Sequence, residues 1–144
     1  MNLPMLKNEP NVKRVTSLLL VDDDADDHEV FKMALQETER AVLFAGVTGG
    51  EQALKTLDNT AAKPDVIFLD VNMPMLNGFE TLQQIKRKDH LRDIPIVMYS
   101  TSSSSHDECK AIRLGAMAYL SKPSTLTELC QFLKTFLMQF RVTD

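Results

Sequence analysis

Several functional classes are excluded by what this 144-residue chain lacks. It has two cysteines, and Cys109 and Cys130 have neither CxxC spacing nor any Cys or His cluster, so a zinc site or redox pair is not expected. Both read as plain helix residues. The longest apolar runs, such as Leu18 to Val21 and Val66 to Leu69, fall far short of the ~20 residues that a membrane-spanning helix needs. Lys7, Lys13 and Arg14 precede only four apolar residues, which run straight into acids, unlike a secretory signal. A cytoplasmic protein is expected. Basic excess is missing too: 16 Lys and Arg against 20 Asp and Glu give a net charge of −4. Without a basic stripe to track a phosphate backbone, direct nucleic-acid binding is not expected.

What is present is the composition of one globular domain, 44% hydrophobic and 25% charged. Residues 1–16, with Pro4 and Pro10 and no clear period, read as a flexible lead-in, and residues 17–144 as the domain. From Ser17 on, short apolar runs alternate with amphipathic stretches, the pattern of βα units around a parallel sheet. Five strands are predicted at Leu18 to Val21, Val42 to Val47, Val66 to Leu69, Ile96 to Tyr99 and Ala118 to Leu120. The first helix starts after the N-cap Asp24 and buries Val30, Phe31, Ala34 and Leu35. The second covers about Gly50 to Leu57, and the third about Gly78 to Lys88 with Phe79, Leu82 and Ile85 inward. The fourth runs from about His106 to Leu114 and stops at Gly115. In the fifth, Leu126, Leu129, Leu133, Phe136, Leu137 and Phe140 share a stripe with Phe132 at its edge. The fold class is α/β, a three-layer sandwich around a five-stranded parallel sheet.

In such a sheet, ligands bind beyond the carboxyl ends of the strands. Those ends carry Asp22 and Asp23, then Asp70, then Ser100, then Lys122. Three converging carboxylates repel one another unless a cation sits among them, and hard oxygen ligands suit Mg²⁺. With a lysine and a hydroxyl added, the set can bind Mg²⁺ and a phosphoryl group together, with one carboxylate as nucleophile. An EF-hand reading of Asp22, Asp24 and Asp26 fails, because the sixth position is Asp27 and the twelfth Met33. Asp24, Asp26 and Asp27 read as a solvated helix start. His28, His90 and His106 have no second ligand in register and are assigned no chemistry.

Val21-Asp22-Asp23, Asp70-Val71-Asn72-Met73-Pro74 with Asn77-Gly78, Tyr99-Ser100, and Gly115-Ala116 through Tyr119-Leu120-Ser121-Lys122-Pro123 together resemble the response-regulator receiver domains of bacterial two-component systems. The resemblance covers nearly the whole chain and implies a flavodoxin-like sheet of order 2-1-3-4-5. It implies Asp70 as phosphoacceptor, Asp23 as a direct Mg²⁺ ligand, Asp22 as a partner acting through water, and Asn72 as a backbone-carbonyl ligand. Lys122 would pair with the phosphoryl oxygens, with a cis bond to Pro123. Ser100 and Tyr119 would form the switch, and the loop Ser102 to Ser105 would rearrange with Ser100. Ser100 stands where threonine is commoner, and Ser124 where phenylalanine often follows Pro123.

The resemblance also implies a partner: a sensor histidine kinase or histidine phosphotransfer protein as donor, with Mg²⁺ as cofactor. Only 21 residues follow Pro123, so a stand-alone receiver is expected, signalling to an unidentified downstream protein as a monomer or weak homodimer. Its catalysis would be confined to its own phosphorylation and dephosphorylation. The face of helix four, strand five and helix five would be read, with Lys110, Arg113, Tyr119, Gln131 and Lys134 as candidates. Phe132, Phe136 and Phe140 would pack the core or support a dimer. The alternatives are a pseudo-receiver that binds partners without phosphorylation and a haloacid-dehalogenase-type phosphatase. The first would be favoured by a missing site residue, yet all five are present. Against the second, Ala25 replaces the usual Thr or Val and there is little room for a cap.

Overall fold

The computed structural model describes residues 12–102 and 104–143. Most of the predicted lead-in, residues 1–11, lies outside them, as does Ser103 of the loop after the fourth predicted strand. The elements in chain order are β1 (Val12–Arg14), β2 (Ser17–Val21), α1 (Ala25–Glu37), β3 (Leu43–Val47), α2 (Gly50–Asn59), β4 (Val66–Asp70), α3 (Gly78–Lys86), β5 (Ile96–Ser100), α4 (Ser105–Arg113), β6 (Ala118–Ser121), α5 (Leu126–Gln139) and β7 (Arg141–Thr143). The five central strands are parallel in the order β3-β2-β4-β5-β6. Counting from β2, that is the expected 2-1-3-4-5. The chain leaves β2 in one direction to make β3 and returns past it to make β4, so the topological switch point lies between β2 and β4.

Each central strand alternates its side chains between two cores. Leu18, Leu20, Val66, Phe68, Val97 and Tyr99 face a layer built with Phe31, Leu129, Leu133 and Phe136 of α1 and α5. Leu19, Val21, Ile67, Leu69, Ile96 and Met98 face the other, with Leu54, Leu57, Leu82, Ile85 and Ala111 of α2, α3 and α4. Burial on both faces is why β4 and β5 are apolar along nearly their whole length. Phe68 anchors the first layer, with edge-to-face contacts to Phe31, Tyr99, Phe132 and Phe136. Truncating such a ring to alanine typically costs about 3–5 kcal/mol.

Local chemistry sets the helix starts. Asp24 caps α1 by accepting from the Asp26 amide, Asn77 and Glu80 form a reciprocal capping box on α3, and Ser104 and Thr125 cap α4 and α5. After α4, Gly115 takes φ +106°, a left-handed conformation suited to glycine.

Two features differ from expectation, and one open alternative is decided. Val30 is exposed, because α1 buries the narrower stripe of Phe31, Ala34 and Leu35. Phe136 and Phe140 are buried, and Phe132 is half-buried against the same layer, so these rings pack the core and do not form a free dimerisation face. The end of the predicted lead-in is a strand: β1 pairs antiparallel with β7. Its tie to the sheet is Asp65, which accepts from the Thr16 amide (2.8 Å), the Thr16 hydroxyl (3.0 Å) and the Ser17 amide (3.2 Å) and pairs with Lys13 at 3.2 Å. That tie was hidden from the sequence because its partners lie 48 and 49 residues apart.

Candidate functional site

The switch point brings β2 and β4 side by side in register, with Val21 opposite Leu69. The residues that follow, Asp22 and Asp23 after β2 and Asp70 closing β4, therefore meet at the carboxyl edge. Carboxylate oxygens of Asp22, Asp23 and Asp70 all lie within 4.8 Å of one another. Asp22 and Asp70 are buried and Asp23 is exposed, so the cluster has two fixed walls and one open side. Asp22 is held further by donation from the Asp24 amide to Oδ1 at 2.9 Å, while its carbonyl lies 2.7 Å from His28 Nε2.

Burial dominates the electrostatics. It raises the Asp70 carboxyl to about 7, against a pull downward from Lys122, and the negative charge of Asp22 adds to the rise. Asp22 is likewise raised, chiefly by burial, with the Asp24 amide and Lys122 opposing. Two buried carboxylates that resist ionisation, opening on a third, are a donor set that a hard divalent cation would relieve, and the residues fit Mg²⁺ on that ground.

Lys122 leaves β6 and enters the cluster from the far side. Its Nζ lies 2.7 Å from Asp27 Oδ2, 2.9 Å from Asp22 Oδ2 and 3.6 Å from Asp70 Oδ1, and 5.3 Å from the centroid of the Tyr99 ring. Burial alone would pull the ammonium down, but Asp27, Asp22 and Asp70 outweigh it and hold the lysine protonated well above its usual range. The Lys122–Pro123 bond is trans, contrary to the expected cis, since no cis peptide occurs among the described residues. Trans is the intrinsic preference of an X–Pro bond by about 0.5–1 kcal/mol, and in this geometry the Lys122 amide donates to the Ser100 carbonyl at 2.6 Å while its ammonium reaches the acids.

Ser100 is fully buried at the end of β5, and its Oγ accepts from the Ser102 amide at 3.1 Å. Tyr119 on β6 is buried as well, and its hydroxyl donates to the Ser102 carbonyl at 3.0 Å. Both predicted switch residues thus hold the same loop residue. Asn72 is exposed, and its amide points to Asp70 Oδ1 at 3.4 Å. Gly78 is required by close approach: a Cβ there would collide with the Asp70 carbonyl oxygen.

Asp27 is the site residue that sequence reading missed. In the sequence it reads as part of a solvated helix start; the signal that could have found it is its place in the first turn of α1, four residues after Asp23. Of the surface candidates, Arg113, Gln131 and Lys134 are exposed. Lys110 instead folds over the Phe79 ring at 4.4 Å, and Tyr119 points inward.

A doubly wound sheet of this order, with an acidic cluster and one lysine at its carboxyl edge, defines a flavodoxin-like module. The chain belongs to the response regulator receiver domain family of two-component systems, whose family model matches residues 18–134. Among solved structures it resembles the phosphorylated cyanobacterial phytochrome response regulator RcpA, at 30% identity and TM-score 0.78, covering 86% of this chain and 94% of that one. It also resembles the Mn²⁺-bound response regulator Rcp1, at 25% identity and TM-score 0.79, covering 90% and 99%. Among curated proteins it is 36% identical over 113 residues to a protein-glutamate methylesterase/protein-glutamine glutaminase of Geobacillus kaustophilus, and 34% identical over 125 residues to the transcriptional regulatory protein PrrA of Mycobacterium tuberculosis. Those matches cover 77% and 83% of this chain but only 31% and 49% of the relatives, so the chain spans less than half of their length. No helix among the described residues is long and apolar enough to cross a membrane.

Proposed function

We propose that this protein is a phosphorylation-switched response regulator of the cytoplasm in which Asp70 is the phosphoacceptor. The observation that carries the proposal is the burial of Asp70 beside Asp22, Asp23 and the Lys122 ammonium, with Asp23 leaving one side open. The donor is a phosphohistidine of a sensor kinase or phosphotransfer protein. An Asp70 carboxylate oxygen attacks phosphorus in line, a P–O bond forms as the P–N bond breaks, and the electron pair returns to the imidazole, which takes a proton from solvent. Asp22, Asp23, Asp70 and the Asn72 backbone would hold Mg²⁺, which when bound neutralises charge on the phosphoryl oxygens.

Ser100 and Tyr119 complete the switch. A charged acyl phosphate on Asp70 gives the Ser100 hydroxyl an acceptor for its proton, and motion of Ser100 toward it disturbs Ser102, whose amide now donates to Ser100 Oγ and which Tyr119 also holds. The change is read by a downstream protein on the face of α4, β6 and α5, where Arg113, Gln131 and Lys134 are exposed.

The test is incubation with Mg²⁺ and acetyl phosphate followed by intact-mass measurement. A labile gain of one phosphoryl group, lost in Asp70→Asn and with chelator, is the expected result. No gain at saturating donor would overturn the proposal and leave the fold assignment standing.

A further inference from the structure

Lys122 carries three N–H donors, and two are already committed: one to Asp27 at 2.7 Å and one to Asp22 at 2.9 Å. Asp70, at 3.6 Å, is beyond hydrogen-bond reach of the same nitrogen. The Tyr99 ring closes another side of the ammonium. Asp22 belongs to the three-carboxylate cluster, whereas Asp27 does not. Asp27 is carried in the first turn of α1, where its amide donates to the Asp24 carbonyl at 3.1 Å. It is also partly open to solvent.

We propose that Asp27 is a positioning residue that competes with the incoming phosphoryl group for Lys122 and so slows phosphorylation of Asp70. The inference rests on the function proposed above. Because the Asp27 carboxylate holds one of the three donors and offsets part of the ammonium's charge, a phosphoryl oxygen reaches its full charge-assisted pairing with Lys122 only as the bond to Asp27 is given up. Removing the charge of Asp27 while keeping its shape leaves Lys122 free to make that bond as the transition state forms. The gain is realised in the rate of the chemical step.

The test compares wild type, Asp27→Asn and Asp27→Glu in phosphorylation by acetyl phosphate at saturating Mg²⁺, each also in a Lys122→Met background. The expected result is a rate about three- to tenfold faster in Asp27→Asn. Asp27→Glu, which restores the charge within reach of Lys122, should return the rate toward wild type, a rescue that a purely structural role would not give. The ratio should collapse toward one when Lys122 is replaced. Asp27→Ser serves as a second variant should asparagine disturb the helix start, which circular dichroism would show. An unchanged or slower rate in a folded variant overturns the proposal, as does the same acceleration without Lys122. If wild type accepts no phosphoryl group at all, the proposed function fails and this inference falls with it, whereas phosphorylation of wild type and variant at equal rates overturns the inference alone.

Discussion

Asp22 and Asp70, at the ends of neighbouring parallel strands, share the single ammonium of Lys122, at 2.9 Å and 3.6 Å. One cation between two buried acids leaves negative charge uncompensated, and that shortfall governs how the protein responds to pH, metal and mutation.

The pH response follows from Asp70, whose carboxyl is raised by burial to about 7. Between its unfolded pKa, near 4, and 7, the native state binds a proton that the unfolded state has released. Stability contributed by this group is therefore full below pH 4 and lost as pH rises toward 7. In metal-free buffer, Asp70→Asn should stabilise the protein at pH 8 by on the order of 2 kcal/mol and gain little at pH 4. Urea midpoints of both proteins at the two pH values check this; equal differences at both would sink it.

Mg²⁺ should act in the opposite direction to that shortfall. A cation that binds the native cluster and not the unfolded chain raises the midpoint by mass action, about 1.4 kcal/mol for each tenfold excess over its dissociation constant. Thermal midpoints should climb with Mg²⁺ in wild type and much less in Asp23→Asn, which removes the open-side carboxylate while leaving both buried ones. A climb of equal size in the variant would show that the ion acts elsewhere.

The sequence made the sheet and most of the pocket legible for one physical reason. Strands buried on both faces must be apolar runs, so β4 and β5 declare themselves and their ends can be lined up without coordinates. Asp22, Asp70, Ser100 and Lys122 followed from that alignment. Asp27 did not, since a carboxylate in the first turn of a helix is favourable on its own account and gives no sign of a partner 95 residues away. Val30 was misplaced because helical spacing marks a stripe without fixing its edges. The short pairing of β1 with β7 joins residues 12–14 to residues 141–143, so no local pattern announces it.

Tyr119 supplies a prediction about the switch loop. Its hydroxyl donates to the Ser102 carbonyl, and Ser121 Oγ approaches the same oxygen only at 3.4 Å. Tyr119→Phe keeps the buried ring and removes that donor, which should cost about 1 kcal/mol. Amide exchange at Thr101, Ser102 and Ser104 should quicken while the central strands keep their protection. Unchanged exchange in those amides would mean that the ring alone positions the loop.

Asp65 controls the tie between β1 and the sheet. Its carboxyl is held below the usual range: burial pushes it up, but the Thr16 amide, the Thr16 hydroxyl and Lys13 outweigh that. A depressed folded-state pKa contributes stability that is present above the unfolded value, near 4, and is lost as pH falls through the folded one. Asp65→Asn keeps the shape but weakens three accepted hydrogen bonds and ends the pairing with Lys13, which should cost about 1–2 kcal/mol at pH 7. The cost should shrink in acid, where wild type also loses the charge. Protection of the β1 and β7 amides should fall in the variant while β4 and β5 hold theirs, because the bonds lost join Thr16 and Ser17 to the entry of β4 and leave the central ladder intact. A pH-independent cost would show that packing, and not the carboxylate's charge, fastens the strand.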